Sequence, residues 1–162
     1  MPQTLNVDVA VTPKGQTPAD GVQFAYSAGA NTPPNIVSPT GDINCRALTN
    51  PGNGGVNLVF ALTTPTITFP GANGGPFDMS FFGGPNPPND ARNAMLIGQP
   101  PTKYNGSEFT GFSFGSGNLT LTVTDVDNDG GDYYYALVVW ADTAGRSGTT
   151  YQDDPSILNR QN

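Results

Sequence analysis

Apolar and polar residues alternate with period two in several short stretches, the pattern of strands that bury one face. Leu5, Val7, Val9 and Val11 stand against Asn6, Asp8 and Ala10. After the turn-forming Pro13-Lys14-Gly15 and Asp20-Gly21, Val22, Phe24 and Tyr26 alternate again and meet the breakers Pro33-Pro34. Val56, Leu58, Phe60 and Leu62 repeat the pattern between Gly54-Gly55 and Pro65, and a short run at 66–69 precedes Pro70-Gly71.

The most legible region follows. Phe112 and Phe114 share a face, and residues 118–126 set Leu119, Leu121 and Val123 against Thr120, Thr122 and Thr124. Residues 133–141 are apolar on both faces, with Tyr133, Tyr135, Leu137 and Val139 on one and Tyr134, Ala136, Val138 and Trp140 on the other. Two apolar faces predict a central strand. The connection from Asp127 to Asp132 is made of Asp, Asn and Gly, which tolerate positive φ, so an antiparallel hairpin is expected there. A second turn, 142–148, leads to a strand at 149–151. Residues 70–106 are rich in Gly, Pro and Asn, with interleaved Phe77, Met79, Phe81, Phe82, Met95, Leu96 and Ile97. They are expected to form an ordered connection that packs as a lid on the sheet edge, with Asp90 capping a short helix that runs through Ile97 and stops at Gly98. Together these signals predict one all-β domain over residues 1–162, an immunoglobulin-like antiparallel β-sandwich of about seven to nine strands with a long Gly/Pro-rich connection.

Composition narrows the chemistry. Charged residues are 12% of the chain, about half the usual share, which disfavours a charge-laced helical bundle. With no His, Ser-His-Asp and Cys-His catalysis and His-ligated zinc drop out. The net charge of −7, with no basic cluster to offset it, repels phosphate backbones and argues against nucleic acid as a partner. Cys45 is the one cysteine, so no internal disulfide forms and a reducing compartment is favoured. Residues 1–8 lack a basic and apolar leader, and no window approaches a membrane span, which predicts a soluble, cytoplasmic protein, with specialised export left open.

Toward the carboxyl end, a Tyr-Tyr-Tyr strand follows an Asp/Asn-rich turn, and the step Asp154-Pro155 precedes Ile157 and Asn159. In these features the last 40 residues or so resemble the bacterial DP-EP family, small proteins with no assigned activity. The resemblance implies a β-sandwich and supplies no catalytic residue. Independently, Pro155 holds Asp154 extended, so that Ile157 is expected to return to the core as a closing strand.

Several constellations are candidates for chemistry. Asp125, Asp127, Asp129 and Asp132 with Gly130 satisfy the first half of a calcium-loop pattern, in which alternating carboxylates converge on a hard cation. The required glutamate is replaced by Ala136, which excludes an EF-hand and leaves a looser Ca²⁺ cage beside the plainer reading of a turn. Glu108 with Asp78 is the acid pair a glycosidase would need, although Glu108 is equally an exposed residue opening a strand. Cys45, with Arg46 expected on the opposite strand face, reads as a buried thiol. The aromatics of 69–82 with Trp140 and the tyrosines offer a platform for sugar or peptide, or simply core. Tyr134 and Tyr151 are the better surface candidates among them. Thr64, Thr66 and Thr68 with the Thr120 to Thr124 run echo an ice-binding ladder, but Thr is common on solvent-facing strands. Asn105-Gly106-Ser107 and Asn118-Leu119-Thr120 match glycosylation acceptors.

The expected function is therefore non-enzymatic. It is a bacterial or phage-derived binding or structural module whose loops, 70–106 and 125–132, meet an unidentified protein or carbohydrate, with a sheet edge open to homodimerisation. The alternative is a carbohydrate-binding or carbohydrate-active protein, with or without calcium.

Overall fold

The computed structural model describes residues 2–48, 55–71, 76–84, 89–126, 130–142 and 148–158. The predicted alternation becomes two packed β-sheets, and the described residues contain 3-10 turns but no α-helix. In the first sheet the order is β2 (Val22–Ala28), β1 (Gln3–Pro13), β4 (Val56–Leu62), β9 (Thr120–Asp125), β8 (Phe109–Phe114). Leu5, Val7, Val9 and Val11 of β1 all point into the core, as do Leu58 and Phe60 of β4 and Leu121 and Val123 of β9.

The second sheet is organised around β10 (Tyr133–Asp142). On one side β10 pairs antiparallel with β6 (Phe77–Phe81) and then β7 (Met95–Ile97), through Val139 opposite Phe81 and Leu137 opposite Met95. On its other side lie β11 (Thr149–Asp153) and β12 (Ser156–Leu158). Each flank is in effect one strand interrupted once, by residues 82–94 on one side and by Asp154-Pro155 on the other. Two short strands finish the edges: β5 (Thr66–Ile67) on β6, and β3 (Ile43–Asn44) on β12. The inner face of β10 meets the first sheet at two ring contacts. Tyr135 lies 5.7 Å from Phe60, and Tyr133 stands edge-on to Phe109 at 5.0 Å.

An all-β sandwich with β10 as a central strand agrees with the sequence reading, and Ile157 does return to the core after Pro155, whose carbonyl accepts from Tyr135 N at 3.0 Å. Of the immunoglobulin-like expectation, what is seen is two packed sheets of short strands. They are not purely antiparallel, because β1 and β4 pair parallel, as do β12 and β3.

Four local expectations are corrected. The connection after Asp125 is not a hairpin: β9 belongs to one sheet and β10 to the other, so the chain crosses the sandwich there. Residues favouring positive φ serve a crossover as well as a hairpin, which is why the composition misleads. The helix through Ile97 is a 3-10 turn, Ala91–Asn93, followed by β7. Asp90 does cap it, accepting from Arg92 N at 3.0 Å, but Met95 and Ile97 are buried with Leu96 between them, a strand period enforced by the β10 ladder. Gly98, at φ +105°, ends β7 rather than the expected helix and donates its N–H to the Tyr134 carbonyl at 2.9 Å. The segment 70–106 is accordingly no lid, since it supplies two strands of the sheet. Finally, Glu108 is buried, at 3% exposure.

Tyr135 is wholly buried and its hydroxyl donates to the Gly41 carbonyl at 2.7 Å. Tyr135→Phe leaves that carbonyl unpaired in the interior and is expected to cost about 1–2 kcal/mol, read as a lower urea midpoint with an unchanged slope.

Candidate functional site

Among the described residues, three surface clefts stand out. The first is set by the outward face of β10. Ser80 of β6 lies directly opposite Trp140, so both side chains stand on the solvent side of the sheet. Phe82, one step beyond β6, is held by its N–H to the Val138 carbonyl at 2.9 Å and shares that side. Its ring stacks on the Trp140 indole with centroids 5.7 Å apart and planes at 29°. Gly148 lies against the same indole, where a Cβ would collide with the ring.

Beyond Phe82 the chain leaves the sheet and returns in a fixed position. The Gly83 carbonyl accepts from Asp90 N and from Asn93 Nδ2, both at 2.9 Å, which ties the start of the excursion to its end. A Cβ at position 83 would run into the Asn89 side chain, so glycine allows this close approach. Asn118 arrives from the 3-10 turn between β8 and β9, in the other sheet. The result is a cleft of about 270 Å³ whose lining combines the Phe82 and Trp140 rings with Ser80, Asn89 and Asn118. Among its described lining residues none is charged.

A second cleft, of about 350 Å³, lies by Tyr134 and is formed with Gly98, Pro100, Pro101 and Asp154. Tyr134 is 51% exposed, the large hydrophobic side chain most open to solvent among the described residues. The third, of about 420 Å³, runs along β8 beside Tyr104, Asp90 and Arg92. There Asp90 is bound by Arg92 and by Lys103, whose Nζ lies 2.6 Å away, and these hydrogen bonds, those of Arg92 first, hold its carboxyl well below the usual range. Arg92, the cation in the described lining of that cleft, is thus already engaged.

The sequence candidates distribute as follows. Of the four aspartates proposed for Ca²⁺, Asp127 and Asp129 lie outside the described residues. Asp125 is fully buried at the end of β9, and Asp132 makes an ion pair with Arg46 at 2.5 Å. Among the described residues no three metal-ligating side chains cluster. Glu108, buried just before β8 of the first sheet, and Asp78, exposed on β6 of the second, are apart, and neither lines any of these clefts. Cys45 is buried as expected, although in a 3-10 turn rather than on a strand. Tyr151 is half-buried against Phe69, its hydroxyl donating to the Pro18 carbonyl at 2.9 Å, while Tyr134 is the surface residue foreseen. Thr66 of β5 and the run at 120–124 of β9 fall on different sheets, Thr64 and Thr68 lie outside the strands, and Thr124 spends its hydroxyl on Asn57 at 2.8 Å, so they make no common ladder. Phe82 is among the 69–82 aromatics already grouped with Trp140, whereas Asn89 and Asn118 were not separable from loop residues in the sequence, because what joins them to Trp140 is tertiary.

An acidic seam unforeseen in the sequence links the sheets. Tyr26 of β2 donates its hydroxyl to Asp153 of β11 at 2.9 Å, and Asp42 accepts from Ser156 N at 2.9 Å and Ser156 Oγ at 2.6 Å. Burial pushes the Asp153 carboxyl up, against the Tyr26 hydrogen bond, and pushes the Tyr26 phenol far above its ordinary value. The hydrogen bonds from Ser156 draw Asp42 down.

Compared with protein-family models and with curated proteins, the chain matches none. Among the described residues no helix is long and apolar enough to cross a membrane.

The seam makes stability depend on pH in two opposite senses. A carboxyl raised in the fold binds its proton more tightly folded than unfolded, so the stability it contributes is present at low pH and lost as pH rises through the folded value. Relative to Asp153→Asn, the native chain is expected to lose stability as pH rises above about 4. Asp42 is the reverse: relative to Asp42→Asn, stability is lost as pH falls below about 4. Denaturant unfolding of the three proteins across this range measures both slopes.

Proposed function

We propose that the protein is a non-catalytic binding module that takes a neutral carbohydrate in the Phe82–Trp140 cleft. The observation that carries this reading is the stacked ring pair bordered by uncharged hydrogen-bonding groups. A pyranose presents an apolar C–H face and a rim of hydroxyls. Flat aromatic rings receive the face, and amides or hydroxyls at the edge bond the rim as both donors and acceptors. Asn89, Asn118 and Ser80 are groups of that kind. A phosphate or uronate would need a cation in the cleft, and the described lining holds none.

The rigidity of the setting supports the same reading. Trp140 and Ser80 sit on paired strands, and Phe82 is one hydrogen bond beyond them, so the platform is ordered before ligand arrives. Hydrolysis has little support, because Glu108 and Asp78 share no cleft.

Trp140 is the chain's single tryptophan, so its emission reports directly on this cleft. Titration with soluble cello-, xylo-, manno- and chito-hexaose is expected to give a saturable change in emission with at least one of them. Calorimetry with that sugar should show affinity lowered roughly tenfold or more by Trp140→Ala, with Phe82→Ala in the same direction. EDTA is expected to leave the affinity unchanged, since no carboxylate lines the described cleft. Absence of any response across the panel, or unchanged affinity in a folded Trp140→Ala protein, would refute the assignment.

A further inference from the structure

The Tyr134 cleft differs in chemistry from the Trp140 cleft. Its position follows from the register of β10: Tyr133 and Tyr135 turn toward the first sheet, so Tyr134 between them turns outward. The positions beside it are small. On one side Gly98, which carries no side chain, donates its N–H to the Tyr134 carbonyl at 2.9 Å, and on the other Ser156 of β12 is directly opposite. Neither covers the ring, which stays largely exposed. Among the described residues Tyr134 pairs with no other aromatic ring, unlike Trp140.

The walls of the cleft are set by hydrogen bonds of the backbone. Beyond Gly98 the chain turns through Pro100 and Pro101, and Ile97 and Thr102 close the turn by each donating its N–H to the other's carbonyl, at 2.9 and 3.1 Å. On the far side the Pro155 carbonyl accepts from Tyr135 N at 3.0 Å, which pins the preceding Asp154 at the cleft. Asp154 is exposed, accepts at Oδ1 from the Gln152 amide at 2.9 Å, and is the charged member of the described lining. The ion pairs among the described residues join Arg46 to Asp132, and Arg92 and Lys103 to Asp90, so none of them neutralises it. Asp42 adds negative charge on the same flank, where the Ser156 hydroxyl holds its carboxylate at 2.6 Å.

An exposed aromatic ring and a carboxylate in one cleft are complementary to a cation carried on an apolar stem. Arginine supplies both parts: its methylenes suit the two prolines, its planar guanidinium stacks on a ring, and its N–H groups donate to a carboxylate. We infer that the Tyr134 cleft is a second binding site, which takes an arginine side chain from a basic segment of a partner protein. The guanidinium lies between the Tyr134 ring and the Asp154 carboxylate, with its stem along Pro100 and Pro101. The net charge of −7 draws such a segment in and repels an acidic one. The site is independent of the sugar reading, since the two clefts share no described lining residue.

The probe is a capped pentapeptide of glycines with arginine at its centre, titrated into the isotope-labelled native chain and followed by NMR. Saturable shifts are expected at the Gly98, Tyr134 and Tyr135 amides, with affinity in the millimolar range, while the Trp140 indole signal stays in place. The same peptide with citrulline, the neutral isostere of arginine, is expected to bind roughly fivefold more weakly or worse. Asp154→Asn and Tyr134→Ala should each weaken the arginine peptide by about the same factor, and Tyr134→Phe should keep it. Both positions are exposed, and a thermal melt verifies that the variants fold. Citrulline binding as tightly as arginine, a folded Asp154→Asn protein binding like the native chain, or shifts scattered over the acidic surface without saturation would each overturn the assignment. So would shifts of these amides by the hexaoses and not by the arginine peptide, which would make the cleft another sugar site. None of these results alters the response of Trp140 emission to sugar, so the two readings fail separately.

Discussion

The ladder of β10 is the constraint on which the second sheet depends. Its N–H and C=O groups on one side are satisfied by β6 and β7, and on the other by β11 and β12, so four separate segments are positioned by one strand. An unpaired backbone group in the interior is costly, and a strand buried on both sides has no solvent to fall back on. The two interruptions are therefore repaired locally: the Pro155 carbonyl takes the Tyr135 N–H, and the Ala94 carbonyl takes the Val138 N–H at 2.9 Å. The same strand also sets the outer platform, because each residue that packs inward fixes the direction of its neighbours outward.

Much of this was legible in the sequence, for a physical reason. Where a strand buries one face against the core, hydrophobicity must alternate, and Leu5 to Val11 and Val56 to Leu62 do so and lie where expected. The doubly apolar run at 133–141 announced a central strand, and the central strand is β10. What escaped is pairing. The turn residues between β9 and β10 specify a reversal of direction but not whether the chain stays in its sheet. The short strands β6 and β7 offer too few alternations to stand out from glycine and proline around them, and they become strands because β10 presents bonding partners.

The candidate site divides in the same way. Trp140 and Tyr134 were visible as aromatic residues on one face of a predicted strand, and that much follows from period two alone. Their surroundings come from far along the chain: Asn118 from the opposite sheet, Asn89 from the excursion after Phe82, and Pro100 and Pro101 from the turn beyond β7. Of the calcium pattern, Asp125 belongs to a buried strand end and Asp132 to an ion pair with Arg46, while Asp127 and Asp129 lie outside the described residues.

The parallel pairing of β1 with β4 also bears on how the chain reaches its fold. Parallel neighbours cannot be joined by a tight turn, so β1 must wait for a strand about fifty residues downstream while β2 closes on it locally. The inner faces of both then remain without a covering layer until β10 is available, still further on. Such distant pairings make folding slow relative to a helical protein of this size, and they leave an apolar sheet surface uncovered for much of synthesis. Demand for a holding chaperone should accordingly be greatest while β1, β2 and β4 exist and β10 does not.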